Sequence, residues 1–159
     1  SAEQIREVAA SYYNSGEPNY ICEPKMVYIS FPTEWGTIYS EQELREIRKV
    51  CDEYGMYLFA DGARLGYGLG SVKNDLTLEK LAELTDVFYI GGTKCGALFG
   101  EALVITNKKL ARKFRTYMKQ NGAERLASWH AVLQPVRGWH LRKNDSPGRC
   151  LCLRDQGCF

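Results

Sequence analysis

Two short segments carry residue types that could act together on a small molecule. The first, Asp61-Gly62-Ala63-Arg64, directly follows the apolar run Leu58-Phe59-Ala60; the second, Gly91-Gly92-Thr93-Lys94-Cys95-Gly96-Ala97, follows Val87-Phe88-Tyr89-Ile90. An acid after an apolar strand is, taken alone, often only a turn former or a helix cap. A lone lysine after a glycine pair is usually a solvated side chain. Glycine, however, lets the backbone approach a ligand and adopt dihedrals closed to other residues. An amine and a carboxylate, each at the carboxyl end of its own strand, form a pattern that a cofactor with an aldehyde and a basic ring would explain.

Pyridoxal phosphate is such a cofactor. It needs a lysine amine for its aldehyde and a carboxylate for its pyridine nitrogen, because the ring draws in carbanion electrons only while that nitrogen is protonated. Lys94 and Asp61 are the candidates for these two roles, and the stretch between them is long enough for a helical crossover between neighbouring strands. Arg64 presents a planar fork that suits the α-carboxylate of a substrate, or alternatively the phenolic oxygen of the cofactor; the bidentate match favours the carboxylate.

These residues need a rigid frame, and the hydrophobic pattern supplies one. Ile5, Val8, Ala9 and Tyr12 recur at helical spacing within 2–13, which ends at Asn14-Ser15-Gly16. Met26 to Ser30 is a short apolar run bounded by Pro24 and Pro32 and reads as a buried strand. Ser40 and Glu43 have the spacing of a capping box, followed by the stripe Leu44, Ile47, Val50, Cys51 and a glycine stop at Gly55. Further strands are expected over 56–60, 86–90 and 102–106, with helices over 76–84, capped by Thr77 or Asp75, and from Lys108 to about Gln120. Continuously apolar strands alternating with helices predict an α/β, three-layer α/β/α fold on a mainly parallel sheet. The third and fourth strands have no helix between them, so that step is open to antiparallel pairing. In such sheets ligands gather outside the carboxyl ends of the strands, where both segments lie.

Composition narrows the class of partner. The 159 residues are 45% hydrophobic and 25% charged, ordinary values for one globular domain. A formal net charge of +2 gives no electrostatic reason to invoke nucleic acid or an anionic membrane. No apolar run is long enough to span a bilayer, and the start Ser-Ala-Glu-Gln-Ile-Arg lacks the pattern of a signal peptide, so the cytoplasm is the expected location. For the same reason the six cysteines are expected to be free thiols rather than a disulfide framework.

Asp-Gly-Ala-Arg at 61–64 and Gly-Gly-Thr-Lys-Cys-Gly-Ala-Leu-Phe-Gly-Glu at 91–101 resemble motifs of the threonine-aldolase and β-eliminating-lyase family, which has the aspartate-aminotransferase fold. Val27-Tyr28-Ile29-Ser30-Phe31-Pro32-Thr33-Glu34, with Gly36-Thr37, is similar to another family segment. The resemblance runs from about Ile5 to Gly122. A polar Gln is common in the family where this chain has Phe31; Ser30 and Thr33 are candidates for a cofactor contact and equally ordinary loop residues. The resemblance implies part of the large domain of a pyridoxal-phosphate enzyme of fold type I, a homo-oligomer (dimer or tetramer) whose active sites are completed between subunits. It implies reversible cleavage of a β-hydroxy-α-amino acid to glycine and an aldehyde. Asp61, Arg64 and Lys94 would equally serve β-elimination on the same scaffold. The family's general base, stacking ring and phosphate loop lie in an earlier part of the large domain that is not expected in this chain, so a catalytically inactive fragment is the third reading.

After Gly122 the character changes to an irregular mix rich in Arg, Cys, Gly and Trp, interrupted by Pro135 and Pro147. Residues 1–122 are therefore expected to form a partial cofactor-binding domain, and 123–159 an irregular tail. Codons chosen freely from Glu124 onward and read one base further along can spell a segment resembling the family's continuation, which suggests a frameshift. Cys150, Cys152, Cys158 and His140 could in principle bind zinc, but their spacing matches no common finger, and no metal is expected. Arg137, Arg142, Lys143, Arg149 and Arg154 are expected to be solvated rather than set against a phosphate backbone.

Overall fold

The computed structural model describes residues 1–96, 100–122, 139–143 and 150–154. Strands β1 (Met26–Ser30), β2 (Tyr57–Asp61), β3 (Val87–Gly91) and β4 (Glu101–Ile105) form one sheet in that order. The first two pairings are parallel and the third is antiparallel. Helix α1 (Ala2–Tyr13) precedes the sheet, α2 (Glu41–Tyr54) crosses from β1 to β2, and α3 (Leu65–Gly70) and α4 (Leu78–Leu84) lie between β2 and β3. The step from β3 to β4 spans only residues 92–100 and includes a 3-10 turn at Thr93–Cys95; it is too short to return the chain to a parallel start.

The two-residue period of the strands separates two environments. Ile29, Leu58, Ala60 and Phe88 are buried, and the helices bring Leu44, Ile47, Val50, Leu81 and Leu84 into the same core. Tyr28, Phe59 and Tyr89 alternate with them. Tyr28 remains 55% exposed, while Phe59 and Tyr89 are half-buried.

The capping box forms as the spacing predicts. Ser40 Oγ accepts from the Glu43 amide at 3.2 Å, and Glu43 Oε2 accepts from the Ser40 amide at 2.8 Å. Gly55 ends α2 in the left-handed region, φ 64°. The Met56 amide still donates to Cys51 O at 2.8 Å, so β2 starts at Tyr57 and runs through Asp61. Of the two candidate caps for α4, Thr77 is used, its Oγ1 accepting from the Lys80 amide at 3.2 Å; Asp75 accepts instead from the Glu41 amide at 3.0 Å, in the first turn of α2.

Three elements depart from the periodicity. The basic helix expected from Lys108 to Gln120 divides into α5 (Lys108–Ala111) and α6 (Phe114–Gln120), with Lys113 between them at φ 62°. Lys108/Arg112 and Lys109/Lys113 would place like charges four residues apart in a continuous helix, which disfavours it. Helix α3 is hidden in the sequence by Gly66, Gly68 and Gly70, poor helix formers. A Cβ on Gly68 would lie 2.9 Å from Pro32 Cδ and 3.2 Å from the Phe31 ring, so glycine is what lets α3 close over the fully buried Phe31. Within the segment expected to be irregular, β5 (Trp139–Lys143) and β6 (Cys150–Arg154) pair as an antiparallel hairpin carrying His140, Cys150 and Cys152. Cys158 and the remainder of 123–159, including most of the suspected frameshifted stretch, lie outside the described residues.

Candidate active site

The carboxyl edge of the parallel strands brings the two sequence segments together through their glycines. The Gly91 amide donates to Gly62 O at 2.9 Å. A Cβ on Gly62 would stand 1.7 Å from Tyr89 O, and one on Gly91 2.4 Å from Ala63 O. No side chain fits at either point. The glycines thus let the Asp61–Arg64 turn lie directly against the end of β3, just before Lys94.

Asp61 is the last residue of β2, on the same face as Phe59. Its Oδ1 accepts from the Ala63 amide at 3.0 Å and from the Tyr89 hydroxyl, and its Oδ2 accepts from the Tyr28 hydroxyl. Burial by itself would raise the acid, but the two hydroxyls, the amide and the positive charge of Lys94 together hold it below the usual carboxylate range. Asp61 is therefore an anion at neutral pH. The hydrogen bond to Asp61, with some burial, pushes the Tyr28 phenol up to about 12; burial, then the same carboxylate, raises Tyr89. Both hydroxyls consequently keep their protons and donate. Their rings are held in a row: Tyr28 stacks on Phe59 with centroids 5.3 Å apart and planes 7° from parallel, and Phe59 meets Tyr89 at 6.2 Å.

Lys94 is exposed in the 3-10 turn, and its carbonyl accepts from the Tyr67 hydroxyl of α3 at 2.6 Å. Gly96, with φ 98°, ends the turn in a conformation that glycine adopts readily. Arg64 stands at the start of α3 with its guanidinium 3.5 Å from Glu34 Oε1, on the loop after β1. Asp61 and Lys94 thus fall within electrostatic reach of one another, while Arg64 faces Glu34. Of the lesser candidates, Thr33 is engaged within its own loop, its Oγ1 2.6 Å from Thr37 Oγ1 and accepting from the Thr37 amide at 3.1 Å. Ser30 is half-buried beside Asp61 in the β1–β2 register. Phe31 lies in the core.

Tyr28, Tyr89 and Tyr67 were not singled out from the sequence. Strand parity finds the first two only once strand order and register are known: Tyr28 pairs with Phe59, which shares a face with Asp61, and Ala60 pairs with Phe88, the residue before Tyr89. Tyr67 gave no such signal, because its helix is masked by glycines. Cys22, Cys51 and Cys95 are free thiols. Among the described residues no group of three His, Cys, Asp or Glu is arranged to hold a metal ion, and no helix is long and apolar enough to cross a membrane.

A solved structure of Leishmania major threonine aldolase matches 76% of this chain, and 34% of its own, with a TM-score of 0.70 and 49% sequence identity. Together with the mixed sheet and its flanking helices, this defines the class: an α/β protein with the fold of type I pyridoxal-phosphate enzymes. A protein of Pseudomonas aeruginosa named low specificity L-threonine aldolase is 35% identical over 158 residues, and one of the same name from a Pseudomonas species is 38% identical over 121. These matches take in 94% and 74% of this chain but only 43% and 33% of the two curated relatives. The family model described as β-eliminating lyase matches residues 3–133, and the chain belongs to that family.

Proposed function

We propose that the protein to which these residues belong is a pyridoxal-phosphate lyase that cleaves a β-hydroxy-α-amino acid such as threonine to glycine and an aldehyde. The observation that carries this reading is the Asp61 carboxylate at the end of β2, held by the Tyr28 and Tyr89 hydroxyls, in a turn that packs through Gly62 against the end of β3 just before Lys94. The donor set fits the cofactor: an anion for a basic ring nitrogen, an exposed amine for an aldehyde, and a glycine-lined backbone between them. When bound, the cofactor supplies a carbonyl that takes up the substrate amine and a protonated ring that accepts the electrons released when the bond to Cα breaks.

The side chains have separable tasks. Lys94 would provide the amine that holds the group. Asp61 holds the proton on the ring nitrogen, because a carboxylate kept ionised in this setting favours a cation opposite it. Arg64 offers a two-pronged donor for the substrate α-carboxylate, in competition with Glu34. The named relatives favour aldol cleavage; the family model's own name keeps β-elimination as the second reading.

Borohydride reduction of the chain mixed with pyridoxal phosphate, followed by peptide mass spectrometry, tests the anchor. Modification of Lys94 is expected in the wild type, with none at that position in Lys94→Ala. An unmodified Lys94 in the folded wild type would refute the assignment. Assays with allo-threonine against tyrosine and cysteine separate the two reactions, aldol cleavage requiring glycine as product from the first.

A further inference from the structure

A carboxylate has about four acceptor positions, two on each oxygen. Among the described residues, Asp61 Oδ1 has both filled, by the Ala63 amide and the Tyr89 hydroxyl. Oδ2 has one, filled by Tyr28. The acid therefore reaches the site with its plane fixed from two neighbouring strands and with one acceptor position left on a defined oxygen.

We propose that Tyr28 and Tyr89 are positioning residues that clamp Asp61 from either side and leave Oδ2 to accept a hydrogen bond from the protonated nitrogen of a bound pyridine ring. The proposal rests on the pyridoxal-phosphate reading above. Its chemistry is that of preorganisation: a carboxylate whose orientation is already fixed by hydrogen bonds needs no rearrangement when a cation arrives. Three aromatic rings in a row across β1, β2 and β3 give the clamp its stiffness, since Phe59 meets both tyrosines. The hydroxyls also act electrostatically, because donors to the ionised form favour it against the desolvation that opposes it. Tyr28 is more than half exposed, and its hydroxyl donates to the carboxylate.

The test uses the full chain as wild type, Tyr28→Phe, Tyr89→Phe and the double variant. Phenylalanine keeps the rings and removes only the hydroxyls. Circular dichroism reports the fold, and the single Tyr28→Phe change, at an exposed ring, serves if the double variant does not fold. Carboxyl carbon NMR, with the Asp61 signal identified by its loss in Asp61→Asn, should show Asp61 titrating at higher pH in each variant and highest in the double one. With pyridoxal phosphate labelled with nitrogen-15 in the ring, the bound signal should move from the protonated toward the neutral position in the double variant. Capture of the cofactor should weaken by roughly tenfold, the scale set by removing hydrogen bonds to an ionised group. A wild type that captures the cofactor on Lys94, with variants that leave the Asp61 titration and the ring-nitrogen signal unmoved, would overturn the clamp alone. A wild type that fails to capture it at Lys94 would overturn the reading beneath it.

Discussion

The two ends of the sheet each hold an acid below the usual carboxylate range, and they hold it for different ends. Asp86, just before β3, has its Oδ2 filled by Arg48 at 2.7 Å and the Leu58 amide at 2.8 Å, and its Oδ1 by Asn107 at 2.7 Å. Its own carbonyl accepts from the Thr106 and Asn107 amides at 3.0 and 3.2 Å. Helix α2, strands β2 and β3 and the end of β4 are thus tied at one point by a charge paired with a charge. Asp61, at the opposite edge, is served by neutral hydroxyls and one amide, and the cation that acts on it, through charge alone, is the exposed Lys94. A satisfied ion pair gives a joint. A carboxylate held by neutral donors keeps an uncompensated negative charge that a ligand can meet.

The largest expected effect falls on the joint. Arg48 and Asp86 are only 17% and 14% exposed, so Asp86→Ala leaves a guanidinium with little water and only the exposed Asp52, 2.8 Å away, as counter-charge, besides unpairing the Leu58 amide and Asn107. The cost is about 3 kcal/mol, the lower end of the range for breaking a buried pair. Asp61→Ala is expected to cost no more than about 1–2 kcal/mol, because the freed hydroxyls can turn toward solvent. Urea unfolding of the two variants decides the matter, and equal losses would break the distinction. At the carboxyl edge the stability instead lies in the backbone contact. Gly62→Ala forces a methyl toward a carbonyl oxygen 1.7 Å away and is expected to cost about 1–3 kcal/mol or more, a larger loss than removing the Asp61 side chain beside it.

The same contrast explains what was legible in the sequence. Periodicity located the strands to within a residue and the α2 cap to the residue, because apolar alternation and capping act locally. The antiparallel last step was open to inference for the same reason: no helix intervenes. That Asp61 and Lys94 lie at one edge of the sheet was readable, since both follow apolar runs. Their tyrosine partners were not, for strand order decides which residues meet, and strand order is a non-local property. Helix α3 was hidden because tight packing over Phe31 demands the glycine that disfavours a helix, so a tertiary contact overrides local propensity. The partner of Arg64 was likewise invisible, as Glu34 reaches it only after the β1–α2 loop folds back.

Acid titration sharpens the comparison at a smaller scale. The folded acidities of Asp86 and Asp61 both lie below the unfolded value of about 3.9. Each then contributes stability that is fully present above that pH and is lost as pH falls through the folded value. Stability measured from pH 6 downward is therefore expected to decline in the wild type. Asp86→Asn should flatten that decline more than Asp61→Asn, since its native charge partner, Arg48, is a half-buried cation 2.7 Å away. An unchanged acid limb in Asp86→Asn would show that the joint does not depend on charge.

The smallest stability effect is expected at Glu34. Its pair with Arg64 is 3.5 Å long, with the two side chains 78% and 34% exposed, so water screens it and its net contribution is about 0–0.5 kcal/mol. Glu34→Gln should leave the unfolding midpoint nearly unchanged, unlike any change at the Arg48–Asp86 joint. It also removes the anion that competes for the Arg64 fork. Glycine binding to the cofactor-loaded protein is therefore expected to tighten by about two- to fivefold, the range set by a surface pair of up to about 1 kcal/mol. Weaker binding would reverse the roles, making Glu34 a contact for the substrate amine, and unaltered binding would remove Arg64 from the carboxylate site. In either case this ion pair would still differ in kind from the one at the amino-terminal edge, where removing the acid costs stability before it touches any ligand.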